Sequence, residues 1–283
     1  MPFGGEFGTV PAGPFIYGPE ETYERLAQAP PPKPRQVVEL DTFHIAARPV
    51  TYGEWKTFLD ETGFRWGGQW WAIVPDWRSN LPREAPLWGF KGRRYAIVKD
   101  YPPEMANYPI VDVSHTEALA YCEWLSKKVG RGCGLPTEFQ WEKAARGTDG
   151  RTYPWGETKP RPEIHWQRRF PVGPESYLYS LLMRPRREWA RAGWYWRNGT
   201  PVPVGSIPQN VSPYGCRDMA GNIWEWTTSL YNPTLPNFHV VKGGSWGYSI
   251  HHTKLYVRSA CSVTIPSRDY RAHGTGFRVI VDL

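Results

Sequence analysis

The sequence predicts an α+β protein with few helices, short strands and long loops, forming a single domain over residues 1–283. Only three segments place apolar residues at helical spacing behind a capping signal. The chain carries 29 prolines and 28 glycines, which interrupt regular elements. With 40% hydrophobic residues, it still has enough apolar surface to build a buried core.

Each predicted helix opens with a capping box, in which a Ser or Thr and a Glu or Gln three residues later cap each other's free amides. The three boxes begin at Thr51, Ser114 and Thr137. Apolar side chains follow each box at intervals of three and four residues, which places them on one helical face. Residues 37–45 and 202–207 are predicted strands.

The basic charge raises the question of a nucleic-acid partner. The net charge is +7, and arginines cluster with aromatic residues between Gln167 and Arg197. Such a mixture can stack on bases and neutralise phosphates, but no recognised nucleic-acid motif accompanies it. The alternative is a solvated surface insertion whose guanidinium groups lie over Trp faces. We therefore do not expect nucleic acid to be the partner.

The sequence argues against a membrane span, a signal peptide, a zinc site and a disulfide framework. No apolar run approaches the ~20 residues of a membrane helix, so no membrane span is predicted. The first residues lack the basic and apolar regions of a signal peptide, so the expected location is cytoplasmic by default, with surface display through a partner left open. The four cysteines show neither zinc-site spacing nor the density of a disulfide framework.

The C-terminal residues combine a fixed frame with an irregular filling. Gly243-Gly244-Ser245-Trp246 opens the frame and Gly276-Phe277-Arg278-Val279 closes it. The residues between them show no clean period of 2 or 3.6, which indicates loops and short strands. Binding surfaces are commonly built from such loops on a rigid scaffold, so we expect a ligand-binding region over about residues 247–278.

The filling also uses a restricted set of amino acids. Residues 247–278 contain no Trp, Glu, Gln or Met and a single Lys, Lys254, whereas the rest of the chain holds 53 of the 54 residues of these five types. Codons that end in C encode none of these types. This composition indicates codons randomised at their first two positions, with Lys254 as the exception. The alternative is a small-sample fluctuation in a loop-rich segment.

Several motifs together resemble one family across nearly the whole chain. They include G-L-P-T-E-F-Q-W-E-K-A-A-R-G from Gly134, G-N-I-W-E-W from Gly221 and the C-terminal frame. This pattern resembles the formylglycine-generating-enzyme, or sulfatase-modifying-factor, domain, a variant of the C-type lectin fold. The resemblance implies that fold, with inserts at residues 63–103 and 160–200 that fall outside it.

The resembled family contains both enzymes and binding proteins, so the fold alone does not decide the function. Its oxidases bind copper through two cysteines five residues apart, and Thr253 and Arg258 align with those positions. One nearby thiol, Cys261, cannot replace the soft ligand pair that Cu(I) requires. The extra helical domain and histidine-rich ligand set of related iron sulfoxide synthases also have no match here. We therefore expect no catalysis; the alternative is a degenerate metal-dependent oxidase of this family.

The remaining resemblance is to the variable proteins of diversity-generating retroelements. In these systems a reverse transcriptase copies a template repeat with errors at adenines, often in AAC codons, and the copy replaces the 3′ end of the gene. An AAC codon randomised at its adenines ends in C, which matches the composition of the filling. The resemblance implies a macromolecular ligand, with protein as the first class to test. The implied ligand-binding residues are His251, His252, Tyr256, Cys261, Val263, Ile265, Asp269, Tyr270, Ala272, His273 and Thr275.

A structural metal site is the last expectation, with no catalytic cofactor. In related domains the G-N-x-W-E-W segment helps to hold calcium, which here implies Glu225 with carbonyl groups near Ala220 and Ile223. Hard oxygen ligands suit Ca²⁺. The alternative is a buried Glu225 bonded to backbone amides. His115 stands where the family often has Trp, and we expect it to pack rather than to act chemically.

Overall fold

Three helices begin where the capping boxes predict. Helix α1 covers Tyr52–Thr62, α2 covers His115–Val129 and α3 covers Glu138–Arg146, and both halves of every capping box form. Gly63 and Gly130 adopt left-handed backbone with φ of 65° and 68° and end the first two helices. The computed structural model describes residues 6–19, 35–68, 70–74, 94–98, 100–101, 103–158, 201–234, 236–245, 259–262 and 274–282, with backbone alone for 71–74, 94–98 and 259–262.

The strands in the described residues are short, as expected for a turn-rich α+β chain. They are β1 (Phe7–Val10), β2 (Gly13–Tyr17), β3 (Gln36–Leu40), β4 (Phe43–Ala46), β5 (Trp70–Val74), β6 (Arg94–Val98), β7 (Cys133–Gly134), β8 (Trp224–Leu230), β9 (Phe238–Lys242), β10 (Ser259–Ser262), β11 (Thr275–Gly276) and β12 (Ile280–Val281). Two four-stranded sheets have the orders β1-β4-β12-β7 and β10-β9-β8-β11, and β2–β3 and β5–β6 form two-stranded sheets.

The first four-stranded sheet joins distant parts of the chain. Ile280 in β12 pairs with Ile45 in β4 on one side and with Gly134 in β7 on the other, both antiparallel. Strand β12 therefore lies inside the sheet, and residues close to the C-terminus hold the N-terminal strands against the strand that follows α2.

The second four-stranded sheet anchors both flanks of residues 246–273, which we call the C-terminal segment. The chain leaves β9 at Lys242 and returns in β11, where Thr275 pairs with Trp224 of β8 in parallel. Strand β10 within the segment pairs antiparallel with β9. The C-terminal segment therefore begins and ends in a single sheet.

The main core lies between α1, α2 and the end of the chain. Trp55 of α1 and Tyr121 of α2 stack with ring centroids 5.7 Å apart, and Phe277 meets the two rings edge-on at 6.0 and 5.2 Å. Edge-to-face contacts of this kind favour a single packing arrangement. Phe277 thus fixes the closing half of the C-terminal frame to the helices.

Two strand predictions were wrong. Residues 37–45 form two strands, β3 and β4, which belong to different sheets because the chain turns at Asp41 and Thr42. The Thr42 hydroxyl accepts a hydrogen bond from the amide of Ala12 at 3.0 Å, which fixes that turn. Residues 202–207 form a turn, because Gly205 has a φ of 70° and the amide of Ser206 donates to the carbonyl of Pro203.

The structure describes part of the first predicted insert but none of the second. In residues 63–103, β5 and β6 pair as an antiparallel hairpin, and Trp70 packs edge-on against Tyr52 at 5.4 Å. The second insert, residues 160–200, and the Arg- and Trp-rich cluster within it lie outside the described residues. Among the described helices, none has the length and apolar character needed to cross a bilayer.

Candidate functional site

The C-terminal frame is locked by a buried ion pair. The guanidinium of Arg278 donates to both carboxylate oxygens of Glu225, with N–O distances of 2.6 and 2.8 Å, and both side chains are fully buried. Arg278 also donates to the carbonyls of Ala46 and Arg217, and the indole of Trp141 donates to Glu225 at 2.7 Å. Burial disfavours the charge on Arg278, but Glu225 stabilises it, and the net effect raises the pKa of the guanidinium.

This geometry does not fit the predicted calcium site. Both oxygens of Glu225 are taken by Arg278 and Trp141, and the Ala220 carbonyl accepts from the Asn210 side chain at 2.9 Å. A cation at Glu225 would also face the positive charge of Arg278. Among the described residues, no cluster of three acidic, His or Cys side chains is placed to hold a metal. The Glu225 carboxylate is therefore bonded by side chains rather than by backbone amides, and calcium at Glu225, Ala220 and Ile223 stays a prediction that these contacts do not favour.

Glycines are required at both ends of the frame. Gly243 and Gly244 have φ of 96° and 77°, which other residues rarely adopt. A Cβ on Gly276 would lie 2.1 Å from the carbonyl oxygen of Ile110, closer than any real contact. The chain therefore enters and leaves the C-terminal segment through backbone positions that tolerate little change.

Most of the predicted ligand residues lie outside the described residues, namely His251, His252, Tyr256, Val263, Ile265, Asp269, Tyr270, Ala272 and His273. The aligned positions Thr253 and Arg258 lie there as well. Cys261 falls in β10, at the register position opposite His239. Thr275 is only 1% exposed in β11, the edge strand that pairs with β8, so its assignment to a ligand-facing surface disagrees with the structure and it belongs to the buried frame.

A pair of histidines lies beside this frame. His115, at the start of α2, and His239, on β9, have ring centroids 4.0 Å apart and planes tilted by 31°. Nε2 of His115 lies 3.1 Å from the carbonyl oxygen of Thr227, and its ring meets Trp226 edge-on at 5.4 Å. His115 packs, as expected, but its contact with His239 was missed because no local pattern connects residues so far apart in the chain.

Both imidazoles of this pair have a lowered pKa, which favours their neutral forms. Burial and the neighbouring His239 ring lower the pKa of His115 to about 4. Burial also lowers the pKa of His239, although the nearby backbone of Thr228 and Thr227 acts in the opposite direction. Nδ1 of His239 is buried and forms no hydrogen bond of good geometry. Neutral imidazoles carry a free lone pair, which a histidinium lacks.

Asp218 is a second buried titratable group next to the frame. Its side chain is fully buried, its backbone φ is 60°, and Oδ2 accepts the amide hydrogen of Gly205 at 2.7 Å. Oδ1 is buried without a hydrogen-bond partner. Burial raises the pKa of Asp218 to about 6, against the opposing effects of the Gly205 amide and Arg278.

The remaining buried charges have structural partners. Glu142 of α3 binds Arg146 at 2.6 Å and Lys242 of β9 at 2.7 Å, and it accepts the amide hydrogen of Gly18 at 2.8 Å. This network joins α3, β9 and the residue that follows β2. It therefore supports the opening half of the C-terminal frame, where Lys242 directly precedes Gly243.

These elements define a C-type lectin-like fold of the formylglycine-generating-enzyme type. The chain matches the family described as Sulfatase-modifying factor enzyme 1-like domain over residues 5–283, and it belongs to that family. It is 33% identical to hercynine oxygenase of Mycobacterium tuberculosis over 236 residues, which cover 76% of this chain and 48% of the relative. It is 30% identical to the inactive C-alpha-formylglycine-generating enzyme 2 of Bos taurus over 275 residues, 88% of this chain and 80% of the relative.

A solved structure shares the fold. Treponema denticola variable protein 1 superimposes with a TM-score of 0.60 at 18% identity, covering 98% of this chain and 95% of that one. This likeness concerns the fold alone.

The relatives correct the expectation that the protein catalyses no reaction. Hercynine oxygenases from three mycobacteria are 30–33% identical to this chain, which points to a family of oxidases, although an inactive formylglycine-generating enzyme is also among the relatives. The absent cysteine pair argued against one mechanism of the family, and that was too narrow a ground for excluding catalysis. The chain spans about half the length of these hercynine oxygenases.

Proposed function

We propose that this chain is a ligand-binding protein whose specificity resides in the C-terminal segment. The observation that carries the proposal is that buried ion pairs and a close backbone contact hold both flanks of that segment. The Arg278–Glu225 ion pair and the close approach at Gly276 hold the returning strand, and the Lys242–Glu142 pair holds the departing one. Ends fixed in this way allow the residues between them to change without loss of the fold.

The composition of the segment supports variation of its sequence. Residues 247–278 contain one residue, Lys254, of the five amino-acid types that account for 53 residues in the rest of the chain, which agrees with codons that vary at their first two bases. Diversification by a retroelement produces this alphabet, and the variable protein of Treponema denticola shares the fold. We propose the same origin for the variation here.

The proposed ligand is a macromolecule, with protein as the first class to test. Tyr256 and Tyr270 would give contact area at low entropic cost, as tyrosines do in antibody paratopes. Val263 and Ile265 would form an apolar centre, and Asp269 a polar neighbour. A varied surface of this kind has no single fixed partner.

A tolerance scan tests the division between frame and segment. Codons for the proposed ligand residues from His251 to His273 are randomised in one displayed library, and those for Gly243, Gly276 and Arg278 in a second. Resistance to protease selects folded variants. We expect most members of the first library and few of the second to survive. Equal intolerance in the two libraries would contradict the proposal.

A second candidate function is oxidation, which the hercynine oxygenase relatives favour. It is compatible with ligand binding and would act on a small substrate. The test is oxygen uptake by the purified chain loaded with iron or copper, with hercynine or a thiol as substrate. Oxygen uptake that requires both the metal and the substrate would support an oxidase function. No oxygen uptake with iron or with copper would contradict an oxidase function for this chain on its own.

A further inference from the structure

We propose that the outer edge of strand β3 is a dimer interface, at which two copies of this chain pair antiparallel about a twofold axis. Strand β3 pairs with β2 along one edge, and within the described residues no other strand or backbone group bonds to its outer edge. An open edge presents unpaired amide and carbonyl groups to which another strand can add. We call residues 35–40 the β3 edge.

The β3 edge lacks the features that usually prevent such pairing. Edge strands of stable monomers commonly carry a lysine, a proline or a bulge. Strand β3 contains neither lysine nor proline, and its register with β2 continues unbroken from Gln36 to Leu40. It presents Val37, which is 72% exposed, the largest exposed fraction of any large apolar side chain in the described part of the chain. A second strand at this edge would cover Val37.

Val37 belongs to an apolar strip on the outward face of the β2–β3 hairpin. It lies opposite Ile16 of β2, which is half-buried, and opposite residues of an antiparallel pair share a face. The other face is directed at α3, because Tyr17 of β2 is buried and meets Phe139 edge-on at 4.8 Å. A second copy added at the β3 edge would join its own apolar strip to this one.

The charges beside Val37 favour one register of the two strands. In an antiparallel pair centred on Val37, Arg35 lies opposite the partner's Glu39, and the twofold axis repeats this pair on the other side of the two valines. Opposite charges directly across an antiparallel pair stabilise it. A shift by two residues, the smallest that keeps the same faces together, would place Val37 opposite a charged residue, Arg35 or Glu39. The complementary charges therefore point to a second copy of this chain as the occupant.

Arg35 and Glu39 are both exposed and can take part in this contact. The Arg35 guanidinium reaches across the hairpin, since a Cβ at Gly150 would lie 3.4 Å from it. An exposed side chain changes rotamer within nanoseconds, so that Arg35 can turn towards the partner's Glu39. The guanidinium has more donors than one carboxylate uses, so the new pair does not require Arg35 to be without a contact in its own chain.

The assembly ends at two copies. Pairing through the β3 edge joins two hairpins into one four-stranded sheet of order β2-β3-β3-β2, and more strands stabilise a sheet that is marginal with two. The other edge of β2 is occupied, because the amide of Ile16 donates to the Thr148 carbonyl and Arg146 donates to the Gly18 carbonyl. The contact is therefore isologous and closed.

The test is analytical ultracentrifugation of the full chain over a wide range of concentrations, which gives the dissociation constant of the dimer. Arg35→Glu and Glu39→Arg each place like charges opposite one another, and the double variant exchanges the charges and restores both pairs. We expect each single variant to raise the dissociation constant about 10-fold or more, and the double variant to return it close to the wild-type value. The matched control is Lys127→Glu, which makes the same change of charge as Arg35→Glu at an exposed residue of α2.

Val37→Lys tests the apolar contact independently of the charge pairs. It places two ammonium groups opposite each other at the twofold axis, so we expect a monomer where the wild type is dimeric, whereas Val37→Thr should still dimerise. Thermal unfolding checks the fold of every variant, and Val37→Lys decides the matter if a charge variant does not fold. A wild type that is monomeric at every concentration, a dimer unchanged in Val37→Lys, or a double variant as weak as the single ones would each overturn the proposal.

Discussion

Arg278 contacts Glu225 through two hydrogen bonds in the interior of the protein, where neither side chain reaches solvent. Glu225 belongs to β8, and Arg278 follows β11, which pairs with that strand in parallel. The ion pair therefore fixes the returning end of the C-terminal segment to the sheet from which the segment departs. The same pair fills the position that the sequence had suggested for calcium.

Removing Arg278 should destabilise the protein strongly. Loss of one partner leaves the Glu225 carboxylate buried without its counter-charge, which costs about 3–5 kcal/mol in comparable buried pairs. Arg278→Met should lower the free energy of unfolding in urea by this amount, and Arg278→Lys by less. The control is Arg48→Met, whose bidentate pair with Glu54 is partly exposed and should cost about 1 kcal/mol or less. Similar losses of stability in the Arg278→Met and Arg48→Met variants would contradict the claim that the buried Arg278–Glu225 pair is important for the stability of the fold.

Gly276→Ala should also destabilise the protein, for a steric reason. The added methyl group would lie 2.1 Å from the Ile110 carbonyl and 2.9 Å from the Ile223 side chain, so the backbone of β11 must move. We expect a loss of about 3 kcal/mol or more in chemical unfolding. Gly134→Ala is the matched control in a strand, because its nearest neighbour would be 3.9 Å away, and should cost less than about 1 kcal/mol. Equal effects of the two changes would exclude the close approach.

Asp218 should make stability depend on pH in an unusual direction. Its folded pKa of about 6 lies above the unfolded value of about 3.9, so the folded state binds more protons between these pH values. Stability should therefore fall as pH rises from about 4 to about 6 and stay lower above that. Two pKa units correspond to about 2–3 kcal/mol.

Asp218→Asn tests this effect, because asparagine also accepts the left-handed backbone and stays neutral. Its advantage over the wild type in urea unfolding should grow from pH 4 to pH 7. Because the two proteins share all other titrating groups, the difference in their free energies of unfolding at each pH reports on residue 218 alone. A difference that does not vary with pH would show that Asp218 ionises as freely as in the unfolded chain.

Local signals in the sequence predicted part of this fold. The capping boxes at Thr51, Ser114 and Thr137 mark the helix starts, because a cap depends only on residues within one turn. The turn that separates β3 from β4 was missed because Asp41 and Thr42 interrupt the apolar residues without a Gly or Pro that would mark a turn. The parallel pairing of β11 with β8 joins residues about fifty positions apart, and no periodicity within either strand encodes it.

The candidate sites show the same limit. The sequence singled out both Glu225 and Arg278 but did not pair them, because their contact depends on the tertiary fold. The His115–His239 contact likewise joins a helix start to a strand. Thr275 was assigned to the binding surface because it adjoins the variable filling, whereas it is buried in β11.

The measurement that tests the central claim most directly is deep sequencing of the gene's 3′ end from one growing population, with a search of the same genome for a near-copy repeat. We predict substitutions confined to the first two bases of codons between about residues 249 and 275, at adenines of the repeat. A segment as invariant as the rest of the gene, with no repeat in the genome, would contradict the proposal of a diversified binding surface.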